Sequence, residues 1–174
     1  RRPANLACSR IPEACSARGR RSDAVQAVDK VSTETRSRIM AAVRGKDTAP
    51  EMSVRSMLHR LGFRFRLHDQ ALPGAPDIVL PRHGAVVFVH GCFWHQHGCG
   101  RGTKPATRAD YWGPKLRRNC DRDKSNCRQL RRLGWRVLVV WECEINRPDA
   151  LRARLARFFG VEARRAAKTS GGLS

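Results

Sequence analysis

The sequence predicts a single α/β domain in which a mixed central β-sheet is covered by helices on both faces. Short β-branched runs at residues 77–81, 84–90 and 135–142 are typical of buried strands, and longer segments of helical periodicity lie around them. The chain has 174 residues, which is enough for one domain with a core of its own. The expected order of elements is ααβββαβα.

Local signals predict where these elements begin and end. Ser32 or Thr33 can cap a first helix that continues to about Arg44, and Pro50 can open a second helix that ends at Leu61. The segment FRFRL alternates apolar and basic residues, which predicts a strand with one buried face. The complete set after the two helices is strands 63–67, 77–81 and 84–90, a basic helix from Pro114 to Leu133, strand 135–142 and a helix from Pro148 to Phe159.

The two ends of the chain differ in composition from its middle. Residues 1–28 are rich in Arg, Ala and Ser with little periodicity, and the last residues read KTSGGLS. We expect a disordered basic extension over 1–28, a folded domain over 29–160 and a flexible tail over 161–174.

The predicted domain is strongly basic. The whole chain has a formal net charge of +20, and residues 29–160 carry 26 Lys+Arg against 12 Asp+Glu, a balance of +14. A basic domain favours a polyanion such as nucleic acid as its partner, because neutralising phosphates supplies much of the binding free energy. A solvated surface without a ligand is the alternative. No apolar run approaches the roughly 18 residues of a membrane helix, so we expect no membrane partner.

The cysteines predict a metal site rather than disulfides. There are seven, an odd number with uneven spacing, and the N-terminus lacks the apolar region of a signal peptide. The segment FVHGCFWHQHGC contains Cys92, His97 and Cys99, and Cys143 follows a distant strand. Two cysteines and a histidine with a third cysteine fit the four-coordinate preference of structural zinc. His95 is then a spare imidazole beside a rigid loop, as expected of a catalytic group.

Asp77 is the candidate ligand for a second kind of metal. The turn LPGAP precedes it, and a strand start that presents a carboxylate can bind magnesium and a substrate phosphate. The alternative is that Pro-Asp is only a common turn sequence. Glu51 in the preceding helix, and Val89 with His90 at the end of the next strand, supply further oxygen and nitrogen donors.

Four motifs carry a resemblance to a known family. LPGAPDIVL, FVHGCFWHQHGC, PATRADYW and GWRVLVVWEC resemble, in order and spacing, the very-short-patch repair (Vsr) endonucleases, over about residues 29–160. The resemblance implies a restriction-endonuclease-like fold with a structural zinc site. It also implies a magnesium-dependent enzyme that nicks one DNA strand at T·G mismatches left by deamination of 5-methylcytosine. The expected setting is a bacterial cytoplasmic monomer, nucleoid-associated when bound to DNA, with mismatch-repair proteins and a repair polymerase as further partners.

The resemblance also implies roles for single residues. Asp77 matches the magnesium carboxylate, Val89 the residue whose main-chain carbonyl helps to hold the ion, and His95 the general base. His90 and Glu51 match supporting positions that hold metal-bound waters. The zinc ligands match Cys92, His97, Cys99 and Cys143.

Aromatic and basic residues are expected to contact the DNA. Phe93, Trp94 and Trp112 match a family wedge that enters the base stack beside the mismatch, although Trp112 could instead be a core residue. A phosphate track is one interpretation of the basic residues near Trp112, and a solvated helix face is the other. These residues are Lys104, Arg108, Lys115, Arg117, Arg118 and Arg122.

Two other functions remain open at this point. One is a nuclease with a different mismatch or sequence target, linked to a DNA methyltransferase or restriction system. The other is a zinc-stapled DNA-binding protein without catalysis, which would have no use for Asp77 and His95 together. His59, His68 and His83 have no evident partners in the sequence, and we expect them to be surface or hydrogen-bonded histidines. Trp135 and Trp141 are expected in the core.

Overall fold

A four-stranded mixed sheet forms the centre of the protein. The structure is a computed structural model that describes Thr35, Arg38, residues 45–103 and residues 108–161. The strands are adjacent in the order β1 (Arg66–Leu67), β2 (Ile78–Leu80), β3 (Ala85–His90) and β4 (Arg136–Trp141). Strand β2 is antiparallel to both β1 and β3, and β4 is parallel to β3. The predicted mixed sheet is therefore confirmed.

Helices cover both faces of this sheet, as predicted. Helices α1 (Ala49–Arg60) and α3 (Pro148–Phe159) pack on one face, and α2 (Ala109–Arg132) packs on the other. The side chains that α1 and α3 bury there are Val54, Leu58, Leu151, Leu155 and Phe159. On the opposite face α2 contributes Cys127 and Leu130, which pack against Val79, Val86 and Phe88. Strand β3 is apolar on both sides because it lies between these two cores.

The parallel pair β3 and β4 brings two distant chain segments to one edge of the sheet. Val89 is opposite Val140, and His90 is opposite Trp141. Because parallel strands end at the same edge, the residues that follow His90 and Trp141 are placed side by side. This edge carries the candidate site.

Two predicted boundaries are wrong. The first strand is only Arg66–Leu67, both exposed, and Phe63 is instead buried in the core, where it packs against Phe159. Helix α2 begins at Ala109, five residues before the predicted Pro114. A proline there removes one intrahelical hydrogen bond, to the carbonyl of Asp110, and usually stops a helix. In this chain the helix starts earlier and buries Trp112 in its first turn.

Some predictions fall outside the described residues. Of the predicted first helix, up to Arg44, only Thr35 and Arg38 are described, and both are helical. The basic extension over 1–28 and nearly all of the tail over 161–174 also lie outside them. No helix among the described residues is long and apolar enough to cross a membrane.

Candidate active site and metal-binding cluster

Asp77 lies at the start of β2, where a tight turn holds it against β3. A Cβ atom on Gly74, which has φ +79°, would lie 2.5 Å from the Asn126 side-chain nitrogen of α2, so only glycine lets the turn approach the helix this closely. Asp77 Oδ2 accepts a hydrogen bond from the backbone N–H of Val89 at 2.7 Å. Burial raises the pKa of Asp77, the Val89 bond opposes this rise, and the nearby charge of Glu51 adds to it. Asp77 is thus a partly desolvated carboxylate, and one of its two oxygens is fixed by a hydrogen bond.

His90 and His95 stack on each other beside this carboxylate. Their ring centroids are 3.9 Å apart and the rings are nearly parallel. His90 is buried, and desolvation, helped by the charge of His95, lowers its pKa to about 3, so it is neutral at physiological pH. His95 is part-buried, and its Nδ1 lies 2.5 Å from Oδ2 of Asp123 in α2. Asn119 and Cys120 of α2 also donate to the carbonyls of Trp94 and His95.

Glu51 is tied into a polar cluster at the start of α1. It accepts from the Thr48 hydroxyl at 2.8 Å and from Nη2 of Arg55 at 2.9 Å, and only 4% of its surface is exposed. Arg55 also reaches Oδ1 of Asp47 at 2.5 Å and Nε2 of His68 at 2.9 Å. His68 is therefore one of the hydrogen-bonded histidines that the sequence analysis expected, with partners that the sequence alone did not show. Its Nδ1 lies 3.9 Å from Oδ1 of Asp77, so this cluster adjoins the carboxylate.

One cleft of about 690 Å³ joins these groups. Glu51, Asp77, Val89, His90 and His95, the five predicted catalytic or magnesium residues, all line it. Asp123, Arg122 and Asn126 from α2 complete the opposite wall. The cleft is large enough for a nucleotide-sized segment of substrate, and it presents carboxylates and imidazoles along one side.

The four predicted zinc ligands converge next to this cleft. The ligand atoms of Cys92, His97, Cys99 and Cys143 all lie within 4.8 Å of one another. Nδ1 of His97 is 3.3 Å from the sulfur of Cys143 and 3.7 Å from that of Cys92. Cys143 arrives from the segment after β4, and the others come from the loop after β3. Three sulfurs and one ring nitrogen at these separations are a donor set that suits a tetrahedral zinc ion.

The loop around this cluster has little freedom to vary. A Cβ atom on Gly102 would meet the His97 carbonyl oxygen at 1.9 Å, so the chain can fold back there only with glycine. The His97 ring stacks on Trp141 with a centroid distance of 4.4 Å, and the edge of Trp141 contacts His90 at 5.5 Å. Trp141 was expected to be a core residue only, but it lies between the cysteine cluster and the imidazoles of the cleft.

The thiols of the cluster differ strongly in acidity. Burial raises the pKa of Cys92 to about 12 and also raises that of Cys143. For Cys99 burial acts in the same direction, but hydrogen bonds from His97, the Arg101 backbone and the two other thiols outweigh it and lower its pKa to about 6. A metal bound here would take all three as thiolates, so its binding would release their protons.

The three predicted wedge residues form one aromatic cluster. Phe93 contacts Trp94 and Trp112 at centroid distances of 5.0 and 5.4 Å, and Trp94 lies 6.1 Å from Trp112. Trp112 is the base of the cluster with 6% of its surface exposed, whereas Phe93 and Trp94 are half-buried. Tyr111, which the sequence analysis did not single out, is 48% exposed and packs edge-on against Trp112.

Basic side chains surround these rings. The ammonium of Lys115 lies between 5.3 and 5.7 Å from the ring centroids of Trp94, Tyr111 and Trp112, and Arg108 lies 5.1 Å from that of Tyr111. Arg117, Arg118 and Arg122 are exposed on α2. Lys104 lies outside the described residues. The structure thus presents stacking groups and cations together on one surface next to the cleft.

Comparison with known proteins identifies the family of this chain. A family model described as DNA mismatch endonuclease Vsr matches residues 28–101. The DNA mismatch endonuclease Vsr of Escherichia coli (strain K12) is 44% identical over 117 residues, which make up 67% of this chain and 75% of that protein. The chain belongs to the Vsr family. Within that family likeness, the type II nicking enzyme V.XorIIP of Xanthomonas oryzae pv. oryzae is 54% identical over 127 residues, covering 73% of this chain and 93% of the relative.

A solved structure is also similar. The catalytic domain of the homing endonuclease I-Bth0305I superposes with a TM-score of 0.46 at 18% sequence identity, over 66% of this chain and 97% of that domain. Membership of the Vsr family makes this chain a DNA endonuclease. The alternative of a zinc-stapled DNA-binding protein without catalysis is therefore wrong.

Proposed function

We propose that this Vsr-family endonuclease nicks one strand of double-stranded DNA at T·G mismatches with the help of magnesium, and so starts repair of deaminated 5-methylcytosine. The observation that supports it best is the presence of Asp77 and the His95–Asp123 pair in one cleft, directly beside a half-buried aromatic cluster. The same few nucleotides can then contact three kinds of group: the His95 imidazole that activates water, the Asp77 carboxylate that binds a cation, and the aromatic rings that unstack bases.

The hydrogen bond to Asp123 sets the tautomer of His95. A carboxylate can only accept, so His95 Nδ1 carries the proton and Nε2 keeps a free lone pair. That nitrogen takes a proton from the attacking water as its oxygen forms a bond to phosphorus and the bond to the leaving sugar oxygen breaks. Asp123 stabilises the imidazolium that results. His90 remains neutral and stacks against the ring of His95, which keeps it in place.

Asp77 would hold the magnesium ion with the main-chain carbonyl of Val89, and Glu51 and His90 would accept hydrogen bonds from waters on that ion. When bound, the ion supplies charge neutralisation for the phosphate in the transition state. The oxygen-rich set of Asp77, Glu51 and a backbone carbonyl suits a hard cation. A hydrogen bond from the Val89 N–H orients the partly buried Asp77 carboxylate.

Zinc would be held by Cys92, His97, Cys99 and Cys143. It would join the loop after β3 to the segment after β4, and it would thereby keep Trp94 and His95 at a constant position relative to the sheet. Its role in this proposal is structural, because all four positions around it are taken by protein ligands.

Phe93 and Trp94, supported by the buried Trp112, would enter the base stack next to the mismatch. A T·G pair is easier to unstack than a matched pair, so the cost of insertion favours the lesion. Arg108, Lys115 and Arg117 would contact phosphates. These contacts would add affinity without sequence information.

A second target is favoured by one comparison. The 54% identical relative is named a type II nicking enzyme. A target sequence linked to a type II methyltransferase and restriction system is therefore the second candidate, with the same chemistry at a different mismatch or sequence context.

Nicking assays on a panel of duplexes that differ at one base pair test the proposal. We expect magnesium-dependent cleavage of one strand only, at T·G and not at T·A or C·G. Varying the flanking bases then separates the two candidate targets. Equal cleavage of matched and mismatched duplexes, or cleavage of both strands, would contradict it.

A further inference from the structure

We propose that His68 is a positioning residue for the Asp77 carboxylate, and that Arg55 selects the His68 tautomer able to do this. The inference rests on the proposed function, in which Asp77 holds the divalent ion. It concerns two residues that lie outside the cleft wall and that the Vsr motifs in the sequence do not include. Their contacts connect the start of α1 to the start of β2.

Arg55 determines where the His68 proton resides. The guanidinium is buried, with 9% of its side chain exposed, and its Nη2 lies 2.9 Å from Nε2 of His68 and 2.9 Å from Oε2 of Glu51. Its Nη1 bonds Asp47. Because arginine has only donors, Nε2 of His68 must accept, and the proton of the neutral ring is on Nδ1. The carboxylates of Asp47 and Glu51 hold the arginine in place.

The protonated nitrogen faces Asp77. Nδ1 of His68 lies 3.9 Å from Oδ1 of Asp77, while Oδ2 of the same carboxylate is occupied by the Val89 N–H at 2.7 Å. At 3.9 Å a small rotation or one bridging water completes the contact. The backbones are already joined, because the N–H of His68 donates to the carbonyl of Asp77 at 3.4 Å. Each oxygen of Asp77 then has one protein donor and retains a lone pair for a cation.

The same arrangement keeps His68 from binding the cation itself. Donor atoms of Asp47, Glu51 and His68 are close enough together to suggest a metal site. The lone pair on Nε2 of His68, however, is directed at Arg55, and Nδ1 carries a proton, so neither nitrogen is available as a ligand. The guanidinium takes the place of a second cation, and His68 adds no nitrogen ligand to the oxygens of Asp77 and the Val89 carbonyl, which suit magnesium better than softer metals.

The backbone of His68 provides a clean pair of substitutions. Its φ is +48°, a conformation that glycine and asparagine adopt more readily than other residues. His68→Gly removes the ring without straining the chain. His68→Asn keeps an N–H donor near the position of Nδ1. His59→Asn, at an exposed site on α1, is the matched control for histidine replacement.

The first measurement is the tautomer in the full chain without DNA. Nitrogen-15 NMR of histidine-labelled protein at pH 7.5 distinguishes Nδ1–H, Nε2–H and doubly protonated rings, and the His68 signals are those lost in His68→Asn. We expect Nδ1–H. An Nε2–H or doubly protonated ring would overturn the inference. This result does not depend on whether the chain cuts T·G duplexes.

The second measurement is divalent-ion binding, followed by EPR of Mn²⁺ added to the full chain. Removing a partner that orients a metal ligand typically costs about 10–100-fold in affinity, so we expect that loss in His68→Gly and wild-type binding within about threefold in His68→Asn and His59→Asn. Melting temperatures identify any variant that fails to fold. Equal affinities in His68→Gly and wild type, or equal losses in His68→Gly and His68→Asn, would overturn the role of His68. A wild-type chain that binds Mn²⁺ normally but nicks no mismatch would contradict only the proposed function.

Discussion

Replacing Asp123 with asparagine is the sharpest test of the base assigned to His95. The two side chains are joined by a 2.5 Å hydrogen bond, and only 21% of His95 and 16% of Asp123 are exposed, so water cannot readily replace the carboxylate. The amide of asparagine can donate to Nδ1, which leaves the proton of the neutral ring on Nε2, where the base must be free. Loss of general-base catalysis typically costs about 10²–10⁴-fold, which corresponds to about 2.7–5.4 kcal/mol at 1.36 kcal/mol per decade.

We therefore expect Asp123→Asn to reduce the single-turnover nicking rate by about 10²–10⁴-fold. DNA affinity should be unchanged or slightly higher, since a negative charge has been removed. Asp121→Asn is the matched control, because Asp121 is exposed on the same helix and loses the same charge. The assay is rapid-quench cleavage of a T·G duplex at saturating enzyme and magnesium, with affinity and melting temperature measured separately. A rate within about threefold of wild type in Asp123→Asn would refute the assigned tautomer and base.

The other predictions concern the metals, the acidity of the site and the recognition surface. Cys99→Ala should lower zinc content, measured by elemental analysis, and lower the melting temperature with it, since structural zinc contributes folding free energy; a full equivalent of zinc in a Cys99→Ala, Cys143→Ala double variant would exclude the site. Asp77→Asn should abolish magnesium-dependent nicking but retain DNA binding, and unchanged turnover would exclude its role. Because burial raises the pKa of Asp77, this carboxylate is protonated at a higher pH than an ordinary aspartate. As the pH is lowered, magnesium affinity should therefore begin to fall at a higher pH than an ordinary aspartate would give. Magnesium titrations at several pH values check this, and an affinity that stays constant down to pH 4 would contradict it. Trp94→Ala should reduce the preference for T·G over T·A, whereas Arg117→Ala should weaken binding to both duplexes and reduce the salt slope by about 0.9 if it contacts one phosphate; paired affinities over a salt series separate the two, and an unchanged preference in Trp94→Ala would argue against the wedge.

The strands and three of the four residues of the Cys/His cluster were predictable because they depend on residues close in sequence. The apolar β-branched runs at 77–81 and 84–90 can be buried only between two helical layers, and the structure has them there as β2 and β3. The cluster of Cys92, His97, Cys99 and Cys143 was predictable because thiols and imidazoles at that spacing have few other uses in a chain whose cysteines are free. The position of Asp77 at the start of a strand was also predictable, because a turn with two prolines and a glycine comes directly before it.

Residues whose role depends on the rotation of a helix or an unusual backbone conformation were not predictable. Asp121 and Asp123 are the two neighbours of Arg122 in the sequence. Only the packing of α2 on the sheet decides which of the two carboxylates meets His95. His68 lies beside Asp77 because its backbone has a positive φ, and the sequence has no glycine at this position to indicate that conformation. An acidic residue within a strongly basic helix was the available signal for Asp123. The start of α2 was predicted wrongly at Pro114. The free-energy cost of a proline inside the helix is offset by tertiary packing, such as the burial of Trp112, which the sequence does not show.

Helix α2 also restricts how the length of this chain can vary. Trp112 and Asp123 are eleven residues apart, about three turns at 3.6 residues per turn, so they project from the same side of the helix. Between them Asn119 and Cys120 bond the carbonyls of Trp94 and His95. Inserting or deleting one residue between Trp112 and Asp123 would turn one end by about 100° relative to the other and shift it by about 1.5 Å. Substitutions along the exposed side of α2 leave this alignment intact, whereas a single insertion would separate the aromatic cluster from the His95–Asp123 pair.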